Sequence, residues 1–389
     1  MDFRDTAEQL AFRASVEAWI EHELTDEERS PARSARPGAE EAWERIASVR
    51  KKLAAKGWSA PAWPTEYGGL ALGFRDQAIF NEVLAYHRIP GPDFIAINYV
   101  GPTLMLYGTD AQKRRFLPAI VRGEEIWCQG YSEPGAGSDL ASLQTRAVLN
   151  GDEFVLNGQK IWTSQAHRAD WMFILVRTDP DAPKHRGISY LLLDMRSPGI
   201  EVRPLVNMAG THEFNEVFLS DVRVPRENLV GELNRGWYVG MATLDFERSA
   251  IGSSAAARRN LDDLVSLISR SGGHLSAAQR TELAERYVEA AVVRLLSLRV
   301  ISMQEAQQVP NYEASVVKLF GSELNQRTAR TGLKLLGLHG QLDAGSAQAP
   351  AEGAWLYQYL RTVANTIEGG SSEIQRNVIA TRGLGLPRG

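Results

Sequence analysis

The hydrophobic rhythm of this chain changes twice, and that order restricts its fold more than any single residue does. Up to about residue 125 the apolar positions recur at helical spacing: Leu10, Phe12, Val16, Trp19 and Ile20 follow Thr6 and Gln9, which are spaced as a capping box. Turn residues at 57–64 and 67–69 break this part with a loop. From about residue 126 the pattern becomes short apolar runs at 147–149, 154–156, 171–176, 188–193 and 216–219. Asn150-Gly151 and Asn157-Gly158 lie between such runs and predict hairpins or tight turns, and Pro198, Pro204 and Pro225 are placed between runs. A small β-barrel or sandwich of about 100 residues is expected there. After Gly231 long helical segments return, among them 283–309 and 312–335, with an Ala- and Gly-rich loop at 343–353. The expectation is an α+β multidomain chain: a helical domain over 1–125, a β domain over 126–232 and a helical bundle over 233–389.

The 389 residues, 44% hydrophobic and 23% charged, suffice to bury a large core in two or three domains. A net charge of -4 gives no basis for nucleic-acid or anionic-membrane binding. No apolar run is long enough to span a bilayer, and Met1-Asp2-Phe3-Arg4-Asp5 is too polar for a targeting leader, so a cytoplasmic location is expected. The single cysteine, Cys128, excludes an internal disulfide or a Cys-based metal cluster and is read as a small buried hydrophobe. His87, His167, His185, His212 and His339 show no ligand-like spacing, and no metal is implied.

One segment carries chemistry. Glu133-Pro134-Gly135-Ala136-Gly137-Ser138-Asp139 is a turn whose small residues let backbone N–H groups approach a ligand, bracketed by the hydroxyls of Ser132 and Ser138. Lys160-Ile161-Trp162-Thr163-Ser164 follows, and Trp162 has the right character to cover an aromatic ring. The spacing matches neither the dinucleotide fingerprint nor the phosphate loop. Read alone, Trp162 is as well explained by a core role. A later segment, 367–377, has two glycines before Ser372 and Gln375, which are also spaced as a capping box.

Taken together, residues 127–139, 160–164 and 367–377 resemble the signatures of the acyl-CoA dehydrogenase family, and the resemblance covers essentially the whole chain. It implies that family's fold, with FAD held between the β domain and a C-terminal four-helix bundle. By the same resemblance Tyr131 and Ser132 contact the isoalloxazine, and Gly137 belongs to the same cofactor-binding turn. Ser138 reaches the CoA portion of the substrate or the flavin phosphates. Trp162 and Ser164 make further flavin contacts, and Ser371 and Glu373 touch FAD from the C-terminal part.

Oxidising an acyl thioester between Cα and Cβ needs a base for a weakly acidic α-proton and fixed donors for the developing enolate oxygen. The family's commonest base position is occupied here by Gly369, whose N–H is left to donate to the thioester oxygen, and Glu368 is displaced by one residue. Other members carry the base before an Arg earlier in the C-terminal domain. The chain has Leu244-Asp245-Phe246-Glu247-Arg248 there. The resemblance therefore points to Glu247 as base, with Arg248 organising the site and Asp245 and Arg248 at CoA-contacting positions. The competing reading is a solvated helix face.

In homotetrameric members a neighbouring subunit completes the FAD site through segments that 267–274 and 335–340 match poorly. The resemblance is thus to the catalytic subunits of heterotetrameric members, including those acting on steroid side-chain thioesters, and either a homotetramer or a heterotetramer with a related subunit remains open. The implied acyl-CoA substrate passes its electrons to an electron-transfer flavoprotein. The alternatives are an oxygen-reacting flavin oxidase or monooxygenase, and a non-catalytic subunit. Glu247 argues against the monooxygenases, which need no α-proton base.

Overall fold

The computed structural model describes residues 3–29, 39–245 and 251–387. Helices α1 (Ala7–Glu23), α2 (Asp26–Arg29), α3 (Glu40–Ala55), α4 (Phe74–Tyr86), α5 (Gly101–Tyr107) and α6 (Asp110–Arg122) come first. Strands β1 (Trp127–Gly130), β2 (Arg146–Asn150), β3 (Glu153–Lys160), β4 (Trp171–Arg177), β5 (Ile188–Asp194), β6 (Ile200–Val206) and β7 (His212–Pro225) follow. Helices α7 (Gly236–Asp245), α8 (Ile251–Arg270), α9 (Ala277–Glu305), α10 (Tyr312–Leu336), α11 (Ala354–Arg361) and α12 (Ser372–Val378) end the chain. The helical, β, helical order is as expected from the sequence. The chain divides into two compact units, residues 50–71 with 92–247 and the remainder.

The first of these holds a curled seven-stranded sheet in the order β1-β4-β2-β3-β7-β6, with β5 on the other side of β4. One edge of β4 is shared: β1 runs parallel to its first half, and β2 meets it only at Arg146 and Arg177. Buried Phe173, Leu175, Tyr190 and Leu192 pack with Trp63, Leu104, Phe116 and Trp127 on one face. Cys128, Met172, Ile174, Leu191 and Val217 form a second core, and the Cys128 thiol is buried, as its composition suggested.

Of the two Asn-Gly pairs, one closes a hairpin and the other does not. Asn150-Gly151 closes the β2–β3 hairpin, with Gly151 at φ +62°. Asn157-Gly158 is instead a bulge inside β3, where the register to β7 shifts. Gly158 has φ +153° and a Cβ there would meet Thr145 Cα at 2.7 Å, so the glycine answers a close backbone approach rather than a chain reversal. Pro204 is likewise not between runs but within β6, opposite Asn215. That strand is at the end of the sheet, where a missing N–H is tolerated.

In the second unit α1 opens with the expected capping box, Gln9 N donating to Thr6 Oγ1 at 3.2 Å. Val16, Trp19 and Ile20 are buried on it, whereas Leu10 is exposed. Helices α8, α9 and α10 pack through Leu261, Leu264, Val293, Val300, Val317 and Leu324, with Trp355 of α11 among them. A charged cluster ties α1 and α4 to this bundle: Arg13 bridges Asp5 at 3.1 Å and Glu82 at 2.6 Å, and Arg294 also holds Glu82. No helix among the described residues is long and apolar enough to cross a membrane.

Candidate active site

The glycine turn is built where β1 ends. Glu133 N donates to Ala136 O and Ala136 N to Glu133 O, each at 3.0 Å, closing it on itself. Behind it lies a buried ion pair whose role the sequence reading did not identify. Lys160, fully buried at the end of β3, donates to Glu133 Oε1 at 2.8 Å and to Tyr131 O at 3.1 Å. The same carboxylate accepts from Gln144 N at 2.6 Å and Thr145 N at 2.9 Å. Burial raises the Glu133 pKa, but the Lys160 charge and these hydrogen bonds outweigh it and hold the carboxyl below its ordinary value. Burial pulls Lys160 down to about 8, against the opposing pull of Glu133. The available signal was an acid in a Pro-Gly turn facing a basic strand end, which reads equally well as two surface charges.

This clasp also sets Trp162. Ile161 N donates to Ser132 O at 2.9 Å, joining the two segments directly. Trp162 then takes φ +59°, uncommon for a bulky residue, and leaves its indole 55% exposed, edge-on to Phe214 at 5.9 Å. Thr163 is pinned by reciprocal bonds with Asn215, N to O at 3.0 Å and 3.1 Å, yet its buried Oγ1 has no partner among the described residues. A Cβ at Gly135 or Gly137 would meet nothing within 4 Å, and neither has a positive φ, so the chain's own packing does not require glycine at either place. An exposed indole in an unfavourable conformation, an orphaned hydroxyl and an open glycine turn fit a planar, phosphate-bearing group resting here.

Ser132, Gly137, Ser138, Trp162 and Ser164 all lie in this unit, the two segments that carry them being joined by the Ile161–Ser132 bond. Tyr131 belongs to the same segment, but its side chain is buried against Phe173, 5.5 Å between ring centroids. His167 and His212, distant in sequence, stack 4.2 Å apart and both face Asn215 Oδ1. No cluster of His, Cys, Asp and Glu suited to a metal exists among the described residues.

The C-terminal signature lies in the other unit. Gly369 and Gly370 have φ +61° and +88°, and Lys318 Nζ donates to Gly370 O at 2.6 Å and Asn365 O at 3.0 Å. The expected capping pair is shifted by one residue: Ser371, not Ser372, caps α12, its hydroxyl accepting from Ile374 N. Gln375 reaches back instead to Gly369 O and Gly370 O. Glu373 is exposed in the first turn of α12, and its own amide and Ser371 lower its pKa. The Glu368 carboxylate is taken up by Arg361 at 3.2 Å and Asn365 at 2.6 Å. Asp245 is the last residue of α7; Glu247 and Arg248 lie outside the described residues.

Comparison with known proteins gives the family. Three domain families match: acyl-CoA dehydrogenase, N-terminal domain over residues 6–124, middle domain over 128–222 and C-terminal domain over 234–384. The acyl-CoA dehydrogenase IpdE1 of Mycobacterium tuberculosis is 40% identical over 384 residues, 97% of each chain. The chain belongs to the acyl-CoA dehydrogenase family. Its enzyme class is therefore that of the oxidoreductases acting on CH–CH groups. Among solved structures, the acyl-CoA dehydrogenase described as the Tcur3481-Tcur3483 steroid ACAD matches with a TM-score of 0.91 at 36% identity, over 100% of both chains. The ChsE4-ChsE5 complex from Mycobacterium tuberculosis matches with a TM-score of 0.88 at 37% identity, again over 100% of both chains.

Proposed function

We propose that this protein is an FAD-dependent dehydrogenase that converts an acyl-CoA thioester, of the steroid-derived kind, to its trans-2-enoyl-CoA. The observation that carries the cofactor is Trp162, exposed and held at positive φ beside the open glycine turn. Ser132, Gly137, Ser138, Trp162 and Ser164 hold FAD from the sheet unit, with the Tyr131 backbone. Ser371 and Glu373 also hold FAD. FAD, when bound, supplies the acceptor for the hydride that leaves Cβ.

The chain's own task is the proton. Glu247 takes it from Cα, because the commonest base position is a glycine and the Glu368 carboxylate is already engaged by Arg361 and Asn365. Arg248 orients Glu247 and, with Asp245 and Ser138, binds the CoA portion. The Gly369 N–H donates to the thioester oxygen, strengthening as that oxygen gains charge. The steroid-type acyl group is supported by the similarity to a steroid ACAD, and the similarity to the ChsE4-ChsE5 complex supports a heterotetramer with a related subunit over a homotetramer. Electrons leave to an electron-transfer flavoprotein, and the site of action is the cytoplasm.

The test is anaerobic bleaching of the flavin by a panel of CoA thioesters, with and without Glu247→Gln. The variant is expected to keep its flavin and to bleach several orders of magnitude more slowly, on the order of what a positioned base contributes. Bleaching at the wild-type rate would remove Glu247 from its role. Full activity of the protein expressed alone would remove the heteromer.

A further inference from the structure

The two glycines after Glu368 are held from outside their own segment. Both have positive φ, and glycine populates either sign of φ about as readily, so nothing in these two residues fixes the turn they make. Lys318 of α10 fixes it. Its ammonium donates to Asn365 O at 3.0 Å and to Gly370 O at 2.6 Å, clasping the segment 365–370 at both ends. Its stem packs alongside, since a Cβ at Gly369 would lie 3.9 Å from Lys318 Cε. Gln375 Nε2 adds longer bonds, 3.3 Å each, to Gly369 O and Gly370 O.

Lys318, Asn325 and Gln326 have the i, i+7, i+8 spacing of one helix face, and all three meet the same stretch of chain. Asn325 Nδ2 donates to Asn365 Oδ1 at 3.3 Å, and Gln326 Nε2 donates to Thr362 O, Val363 O and Thr366 Oγ1. Only Lys318 of the three extends to the glycines. It is also the only one that carries a charge, and a charge-assisted bond to a carbonyl is shorter and stronger than a neutral one.

The backbone donors of the segment show what this clasp serves. Ile367 N and Glu368 N both donate to Ala364 O, at 2.8 Å and 2.9 Å. Gly369 N is the next donor along the chain, and it has no acceptor among the described residues. Its direction follows from the planar peptides on either side, one anchored through Glu368 N and the Glu368 carboxylate, the other through Gly370 O. We propose that Lys318 is the positioning residue of the Gly369 donor, holding that N–H in one direction by clasping the carbonyls of Asn365 and Gly370. The inference rests on the dehydrogenation reading, with Gly369 N–H donating to the thioester oxygen. A donor fixed beforehand needs no rearrangement as that oxygen gains charge, whereas one on a loose pair of glycines must first be ordered.

The test uses the flavin-loaded protein, with its partner subunit if one is needed, and the thioester of the panel that bleaches the flavin fastest. Readouts are the limiting rate of flavin reduction, the Kd of the trans-2-enoyl product, and the infrared stretch of that bound product's isotope-labelled carbonyl. Lys318→Met is expected to lower the limiting rate by roughly 100-fold, the loss seen when one oxyanion donor is removed. Product Kd should change by less than about fivefold, because the donor acts mainly on the charged transition state. The carbonyl stretch, lowered on binding to wild type, should return toward its value in free product. Gln326→Leu is the control: it loosens the same stretch of chain at Thr362, Val363 and Thr366 and should lower the melting temperature while rate and stretch stay as in wild type. If Lys318→Met loses its flavin, Lys318→Gln, too short to clasp both carbonyls, is read in the same way. An unchanged rate and stretch in the Lys318 variant, or the same rate loss in Gln326→Leu, overturns the inference. If the stretch is not lowered on binding to wild type, Gly369 is not the donor, and if no thioester bleaches the flavin, the dehydrogenation reading fails; either result removes the inference at its base.

Discussion

Replacing Lys160 with Met isolates what holds the glycine turn. The variant keeps the length of the side chain but removes the charge-assisted bond to Glu133 and the donor to Tyr131 O. The first is worth about 1.5–3 kcal/mol and the second about 1 kcal/mol. Removing one partner of a buried pair generally costs about 3–5 kcal/mol. Glu133 retains the amides of Gln144 and Thr145, so the lower end, about 3 kcal/mol, is expected. At about 1.4 kcal/mol per factor of ten, opening of the turn becomes roughly 100-fold more frequent. Amide hydrogen exchange reads this at Ala136 and Ile161, whose N–H groups donate within and to the turn. The control is Lys184→Met, which breaks the exposed pair with Asp139 and should change exchange by less than about fivefold. Equal exchange in wild type and Lys160→Met would show that the clasp does not hold the turn.

Other outcomes follow from the same structure. In α10, Gly332→Ala places a Cβ 2.1 Å from the buried Trp355 ring and should cost at least about 3 kcal/mol, whereas Gly321→Ala, 3.7 Å from Val293, should stabilise by about 1 kcal/mol; thermal melts compare them. Trp162→Ala should leave the melting temperature of flavin-free protein nearly unchanged, since the indole is mostly exposed, but weaken flavin binding by about tenfold or more in an equilibrium titration. For Asp5 and Glu82, burial raises the pKa, but the arginines around them outweigh it and leave both below the ordinary carboxylate range. Both therefore stabilise the fold above that range, and the contribution is lost as the pH falls through their depressed values; Glu82→Gln should flatten the acid limb of a melting-temperature profile against pH.

Local order was legible wherever one segment decides its own conformation. The Thr6 capping box, the hairpin at Gly151 and the limits of β4 and β5 are set by residues within a few positions of one another. What misled were signals whose meaning depends on a distant strand. Asn157-Gly158 has the composition of a turn, but Thr145 approaching from β2's side makes it a bulge. Pro204 is tolerated within β6 only because that strand ends the sheet. At the site, the glycine turn and Trp162 could be read from composition and from the family resemblance. The Glu133–Lys160 clasp could not, because neither residue type reveals burial. Nor could the meeting of Lys318 with Gly370, separated by 52 positions.

The shared edge of β4 couples the sheet to the loop that carries the glycine turn. Gly130 is registered on Ile174 and Arg146 on Arg177, so the intervening segment departs and returns within three residues of the same strand, about 10 Å apart. Between those ends Arg177 also donates to Ala141 O, and Ile161 N to Ser132 O, so β4 and the end of β3 fix the loop at both ends and along its length, and a change in the sheet's register would be transmitted directly to the glycine turn.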